Sequence, residues 1–118
     1  VRPFYSNYLY DWFEESSSNF GWQKIDNVDE LQKKVNENGG VGIISAKRFI
    51  LNKSDHIVVV VPETETEKAY RVDGKVIYPL QSQAGYDNYN YFAEVRKDWW
   101  ANPDPEKGYS SAIFYYHD

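Results

Sequence analysis

Apolar residues open the chain at helical spacing. Tyr5, Tyr8, Leu9, Trp12 and Phe13 fall on one face of a 3.6-residue repeat, which predicts an amphipathic helix from about Ser6 to Ser16. The polar run Ser16-Ser17-Ser18-Asn19 and Gly21 end it. Trp22 to Ile25 lead into a second helix, for which Asn27 is the N-cap and Glu30 completes a capping-box pattern. Val28, Leu31 and Val35 form its buried stripe, and Gly39-Gly40 supply a left-handed stop. The pattern then changes to strands. Val41 to Ala46 reads as a buried strand, followed by a polar loop through Asn52 to Asp55. His56 to Val61 is a central strand, β-branched at every position after the histidine and ended by Pro62.

The stretch from Glu63 to Lys68 reads as a solvated connection. Ala69 to Val72 and Lys75 to Leu80 flank Asp73-Gly74, a two-residue hairpin signal. The Asn-, Asp- and Tyr-rich segment Tyr86 to Tyr91 reads as a loop, and Phe92 to Trp99 as a short helix. Asn102 to Gly108 is a proline-containing loop, and Ser110 to Tyr116 a last strand. Helices followed by a mainly antiparallel sheet define an α+β domain.

Composition narrows the function classes. With 118 residues the chain is one domain, 1–118, large enough to bury about two thirds of its unfolded surface. A hydrophobic share of 42% excludes disorder. The net charge of −5, with Lys33-Lys34 as the closest approach to a basic cluster, argues against nucleic acid as partner. Absence of cysteine removes disulfides and thiolate metal sites, and two histidines among scattered carboxylates give no metal-ligand spacing. No apolar run reaches membrane-spanning length. The start at Val1-Arg2-Pro3 shows no signal pattern and is compatible with a trimmed chain.

The residue with most chemical promise is His56. An imidazole at the mouth of an apolar strand is placed for proton transfer. Leu80-Gln81-Ser82-Gln83-Ala84-Gly85, later in the chain, brings two amides to a second strand-like stretch.

The order of motifs resembles the papain-like cell-wall peptidase and amidase superfamily of NlpC type. Such enzymes open with a cysteine at the N-terminus of a buried helix, and Ser6-Asn7-Tyr8-Leu9-Tyr10-Asp11-Trp12-Phe13 matches that opening with serine in its place. Gly21-Trp22-Gln23-Lys24-Ile25, the Asp29-Glu30-Leu31-Gln32 helix to Gly39-Gly40, and Gly42-Ile43-Ile44 follow in order. Ser54-Asp55-His56-Ile57-Val58-Val59-Val60 and Gln83-Ala84-Gly85 with Asn88 complete the match, with an aromatic strand at the end. Asp55 departs from the pattern, since related chains often carry glycine there.

The resemblance spans roughly residues 6 to 117. It implies a papain-like fold and an amidase or peptidase acting on peptidoglycan stem peptides, without a cofactor, in a secreted, periplasmic or cell-wall setting. It assigns Ser6 to the nucleophile position, His56 to the general base and Gln83 to the group that orients the imidazole. Gln81 is the runner-up for that third role, because alternation puts it on the same face as Gln83. Tyr86, Asn88 and Trp99 are the substrate-binding candidates, with Tyr89 and Tyr91 on the same loop. The helix start would supply oxyanion donors. A thiol has a pKa of about 8.5, whereas a hydroxyl stays protonated near neutral pH, so the chain with Ser6 is expected to be inactive or very slow. The reading leaves room for a neutralising protein partner.

Plainer roles fit the same residues. Ser6 suits a helix N-cap, and a histidine at a strand edge is commonly a structural hydrogen-bonding group. Gln81 and Gln83 fit the solvent face of an edge strand. Of Trp99-Trp100, adjacent on a helix, one is expected in the core and the other at a groove. Asp26, Asp29 and Glu30 read as solvated helix-start charges. His117 is expected to be exposed and without a role. A rival function class is therefore a non-enzymatic module whose tyrosine-rich loops hold glycan, peptide or protein.

Overall fold

A computed structural model describes residues 6–50, 56–82, 91–92, 99–106 and 108–118, with the chain path alone for 6–8 and 91–92. The first helix, α1, spans Ser6–Ser16 and tightens into a 3₁₀ turn over Ser17–Phe20 before Gly21. Tyr10 and Phe13 of α1 are buried, as is Ser17 of the 3₁₀ turn, whereas Leu9 is 42% exposed. The apolar face is therefore rotated from the stripe expected through Leu9. Phe13 decides this, since its ring is caught between Trp22 at 5.0 Å and Tyr115 at 5.3 Å.

Gln23–Ile25 forms a strand, β1, where only a lead-in was expected. Three residues are too few to display alternation, and the strand exists because it pairs with the last strand of the chain. The second helix, α2, runs Val28–Asn38, and the Asn27 side chain caps it by accepting the Glu30 N–H at 2.9 Å. Leu31 and Val35 are fully buried as expected. So is Gln32, whose amide donates to the Val61 carbonyl at 2.9 Å and accepts the Leu80 N–H at 2.8 Å. This side chain ties the helix to two strand ends whose backbone groups would otherwise go unpaired.

The remaining strands are β2 (Val41–Arg48), β3 (His56–Val60), β4 (Tyr70–Val72), β5 (Lys75–Tyr78), β6 (Gln81–Ser82), β7 (Tyr91–Phe92) and β8 (Tyr109–His117). With β1, five of these form a six-stranded antiparallel sheet in the order β1-β8-β2-β3-β6-β7. The domain is thus α+β, two helices with a mainly antiparallel sheet. Each helix covers its own face. Leu31 and Val35 of α2 pack with Ile44, Val58, Val60 and Tyr116, while Tyr10 and Phe13 of α1 pack with Ile43, Ile113 and Tyr115. The uninterrupted run Ile57-Val58-Val59-Val60 follows from this, because a strand covered on both faces has no polar side to show.

The expected hairpin forms a separate two-stranded sheet of β4 and β5, with Asp73 at φ 53° and Gly74 at φ 81° as a left-handed two-residue turn. It docks on α2 through Asp29, which accepts the Val76 N–H at 2.8 Å and is not merely a solvated charge. The strand expected to reach Leu80 breaks at Pro79, and β6 begins beyond it. The connection after Pro62 is solvated as expected, with residues 64–68 exposed, but Glu63 pins its start. The Glu63 carboxylate accepts two bonds from Arg71, one from the Asn36 amide and one from the Ala69 N–H. The bonds to Arg71 are the main reason that its pKa drops from 4.5 to about 2.

Residues 93–98 of the expected helix before Trp99, and the loop residues 51–55 and 83–90, lie outside the described residues. Phe92 ends β7 and Trp99 opens a 3₁₀ turn, Trp99–Ala101. His117, expected to have no role, is half-buried. Its Nε2 lies 3.0 Å from the Phe20 carbonyl and its ring 5.0 Å from that of Trp22, which clasps the turn after α1 to β8.

Candidate functional site

His56 opens β3 opposite Ala46 of β2, on the face that carries Val58, Val60 and α2. Its imidazole is half-exposed at the end of that face. The ring of Trp99 meets it edge-on, with centroids 4.7 Å apart at 81°. Trp99 is held in turn by Gln81, whose Oε1 accepts the indole N–H at 2.9 Å. Gln81 is fully buried opposite Val60 and donates to the Pro79 carbonyl at 3.3 Å. The alternative of a solvent-facing Gln81 is thereby overturned, since β6 lies inside the sheet between β3 and β7.

A β-bulge adds the other wall. Lys47 pairs with Ser111, but Arg48 pairs with Tyr109, so Ser110 is an extra residue on β8. The extra residue turns Tyr109 to the His56 side of the sheet. There its ring lies 5.2 Å from Trp99, and the Arg48 guanidinium carbon sits 5.0 Å from the Tyr109 centroid. The turn carrying Trp99 is tied back by the Asn102 carbonyl, which accepts the Tyr109 N–H at 3.0 Å. Gly108 permits this close return, because a Cβ there would stand 2.1 Å from the Asn102 oxygen. The result is a half-exposed cluster of an imidazole, two aromatic rings and a guanidinium at one end of the sheet.

Trp100, beside Trp99, rests edge-on against it at 5.6 Å and against Phe114 at 6.2 Å. Both tryptophans are half-buried against the α2-side core, so the expected division into one core and one groove ring does not hold. Among the described residues no group of histidine and acidic side chains is arranged to hold a metal ion.

Ser6 is the first residue of α1. The N-terminal half of α1 lies over the end of β2 and β8, as the Tyr10 hydroxyl bonds Ser111 at 2.7 Å and Lys47 reaches Asp11 at 3.6 Å. That is the same end of the sheet as His56, but the opposite face. The sheet therefore stands between the body of α1 and the His56 ring, and the Ser6 side chain lies outside the described residues. Gln83, Tyr86 and Asn88, with Tyr89, lie outside the described residues.

Sequence reasoning missed Gln81 as the anchor of Trp99, and missed Tyr109 and Arg48 altogether. The first was reachable, since alternation places position 81 in line with 83. Tyr109 was not, because its orientation depends on a bulge that leaves no mark in the residue pattern. Comparison with family models, curated proteins and solved structures finds no match to this chain.

Proposed function

We propose that this chain is a papain-like, NlpC-type domain that binds a peptidoglycan stem peptide without hydrolysing it, in a secreted, periplasmic or cell-wall setting. The single observation that carries the reading is the half-exposed cluster of His56, Trp99, Tyr109 and Arg48 at one end of the sheet. A serine hydroxyl stays protonated near neutral pH, so Ser6 in the cysteine's place is a poor nucleophile. What remains at His56 is a surface suited to binding. Trp99 and Tyr109 offer ring area at low entropic cost, and Arg48 brings a cation suited to a peptide carboxylate.

Titration with a soluble stem peptide, followed by NMR, tests the reading. Binding is expected to be lost with Arg48→Glu and to remain measurable with His56→Ala. A stem peptide that leaves every resonance unmoved sinks it.

A second reading is hydrolysis by a cysteine form, with His56, whose ring packs edge-on against Trp99, as the general base. Peptidoglycan digestion by Ser6→Cys, with products read by mass spectrometry, separates the two. New fragments from the cysteine form alone, lost again on adding His56→Ala, establish the enzyme. No products from either form, with the fold intact, leave the binding reading standing.

A further inference from the structure

A fully buried carboxamide is costly unless both its ends are bonded, and an apolar side chain would fill the same volume opposite Val60. Gln81 meets the requirement by accepting the Trp99 indole N–H at 2.9 Å and donating to the Pro79 carbonyl at 3.3 Å. An indole has a single donor, placed at one corner of a rigid plane. Holding that corner restricts the ring to tilts about one point. The restricted ring is the one that meets His56 at 4.7 Å and Tyr109 at 5.2 Å. Gln81 and His56 stand on different strands, β6 and β3, and on the same face, so Trp99 bridges them.

We infer that Gln81 is a positioning residue of this site: its buried carboxamide locks the Trp99 indole and, through that ring, sets the orientation of the His56 imidazole. The consequence for ligand rests on the binding reading above; the coupling itself does not, because it is measured on the free protein.

The test is NMR of the free protein for Gln81→Leu, Trp99→Phe and the double variant. It follows the Trp99 indole N–H resonance, the His56 Cε1–H shift and the His56 titration curve. In Gln81→Leu the indole N–H is expected to shift and to exchange about tenfold faster, as for one lost hydrogen bond. The His56 resonance and midpoint move with it. Trp99→Phe keeps a ring beside His56 but removes the donor, and is expected to move His56 in the same sense, with the double variant moving it no further. Unchanged His56 signals while the indole resonance moves, or single effects that add fully in the double variant, overturn the proposal. Should Gln81→Leu fail to fold, a His56 titration unaltered by Trp99→Phe overturns it alone. Loss of ligand binding with this coupling intact counts against the binding reading only.

Discussion

Replacing Glu63 by glutamine removes one charge from the segment that follows β3 and leaves its shape in place. The carboxylate is 10% exposed and takes four hydrogen bonds, two of them from Arg71 at 2.7 and 2.8 Å. Its pKa of about 2, against an ordinary 4.5, measures how strongly the folded state prefers the charged form. The sign follows from linkage. A carboxylate with a depressed folded pKa contributes stability that is fully present above 4.5 and is lost as pH falls through about 2. That difference corresponds to about 3 kcal/mol before screening. Because Arg71 is 40% exposed, solvent weakens the pair, and about 2 kcal/mol is the working figure.

For a domain of this size a loss of about 2 kcal/mol lowers the melting temperature by roughly 8 °C. The assay is thermal unfolding by circular dichroism, for the parent and Glu63→Gln, in steps from pH 7 to pH 2. The gap is expected at pH 7, to shrink below about pH 4.5 and to close toward pH 2. A gap of constant size across that range would show that the loss comes from shape and not from charge. Equal stability at pH 7 would refute the reasoning entirely.

Other expectations concern contacts elsewhere in the fold. His117 presents both ring nitrogens to backbone carbonyl oxygens, of Asp118 at 2.8 Å and Phe20 at 3.0 Å, and both contacts are hydrogen bonds only in the doubly protonated ring. Its pKa is accordingly raised above 6.5, first by the Asp118 carbonyl and then by that of Phe20. The clasp therefore stabilises the fold below about pH 6.5 and weakens as pH rises through the raised value, and an NMR titration with no upward shift would contradict this. Gln32→Leu strands the Val61 carbonyl and the Leu80 N–H, and is expected to cost about 2–4 kcal/mol in urea unfolding; a change under 0.5 kcal/mol, on the scale of a surface substitution, would count against its bridging role. Gly108→Ala forces the Asn102 carbonyl away from its present place and is expected to displace Trp99. The Trp99 indole N–H resonance then shifts in the NMR spectrum, and an unmoved resonance would mean that the turn is not what holds the ring.

Much of the local structure was legible from residue order. The cap at Asn27, the Asp73-Gly74 turn and the bounds of α1 follow from short-range sterics and hydrogen bonding, which a few adjacent residues settle. The candidate site was legible only in part. His56 announces itself as a polar residue opening an apolar strand, and Trp99 as an unusual ring. Their meeting was not announced, because 43 positions separate them and the pair forms through a turn and an indole bond to a third element.

By itself the sequence determined the α+β class, the helix and strand periods and the place of β3 as a central strand, since each rests on the spacing of side chains along one segment. Tertiary structure alone decided which face each helix covers, that the last strand lies between β1 and β2, and that a bulge at Ser110 turns Tyr109 beside Trp99. These depend on pairings between distant segments, and a strand's two faces are interchangeable until a partner fixes them. His56 stands across the sheet from α1 for that reason: alternation groups it with Val58 and Val60, and the packing of α2 decides which way that group points.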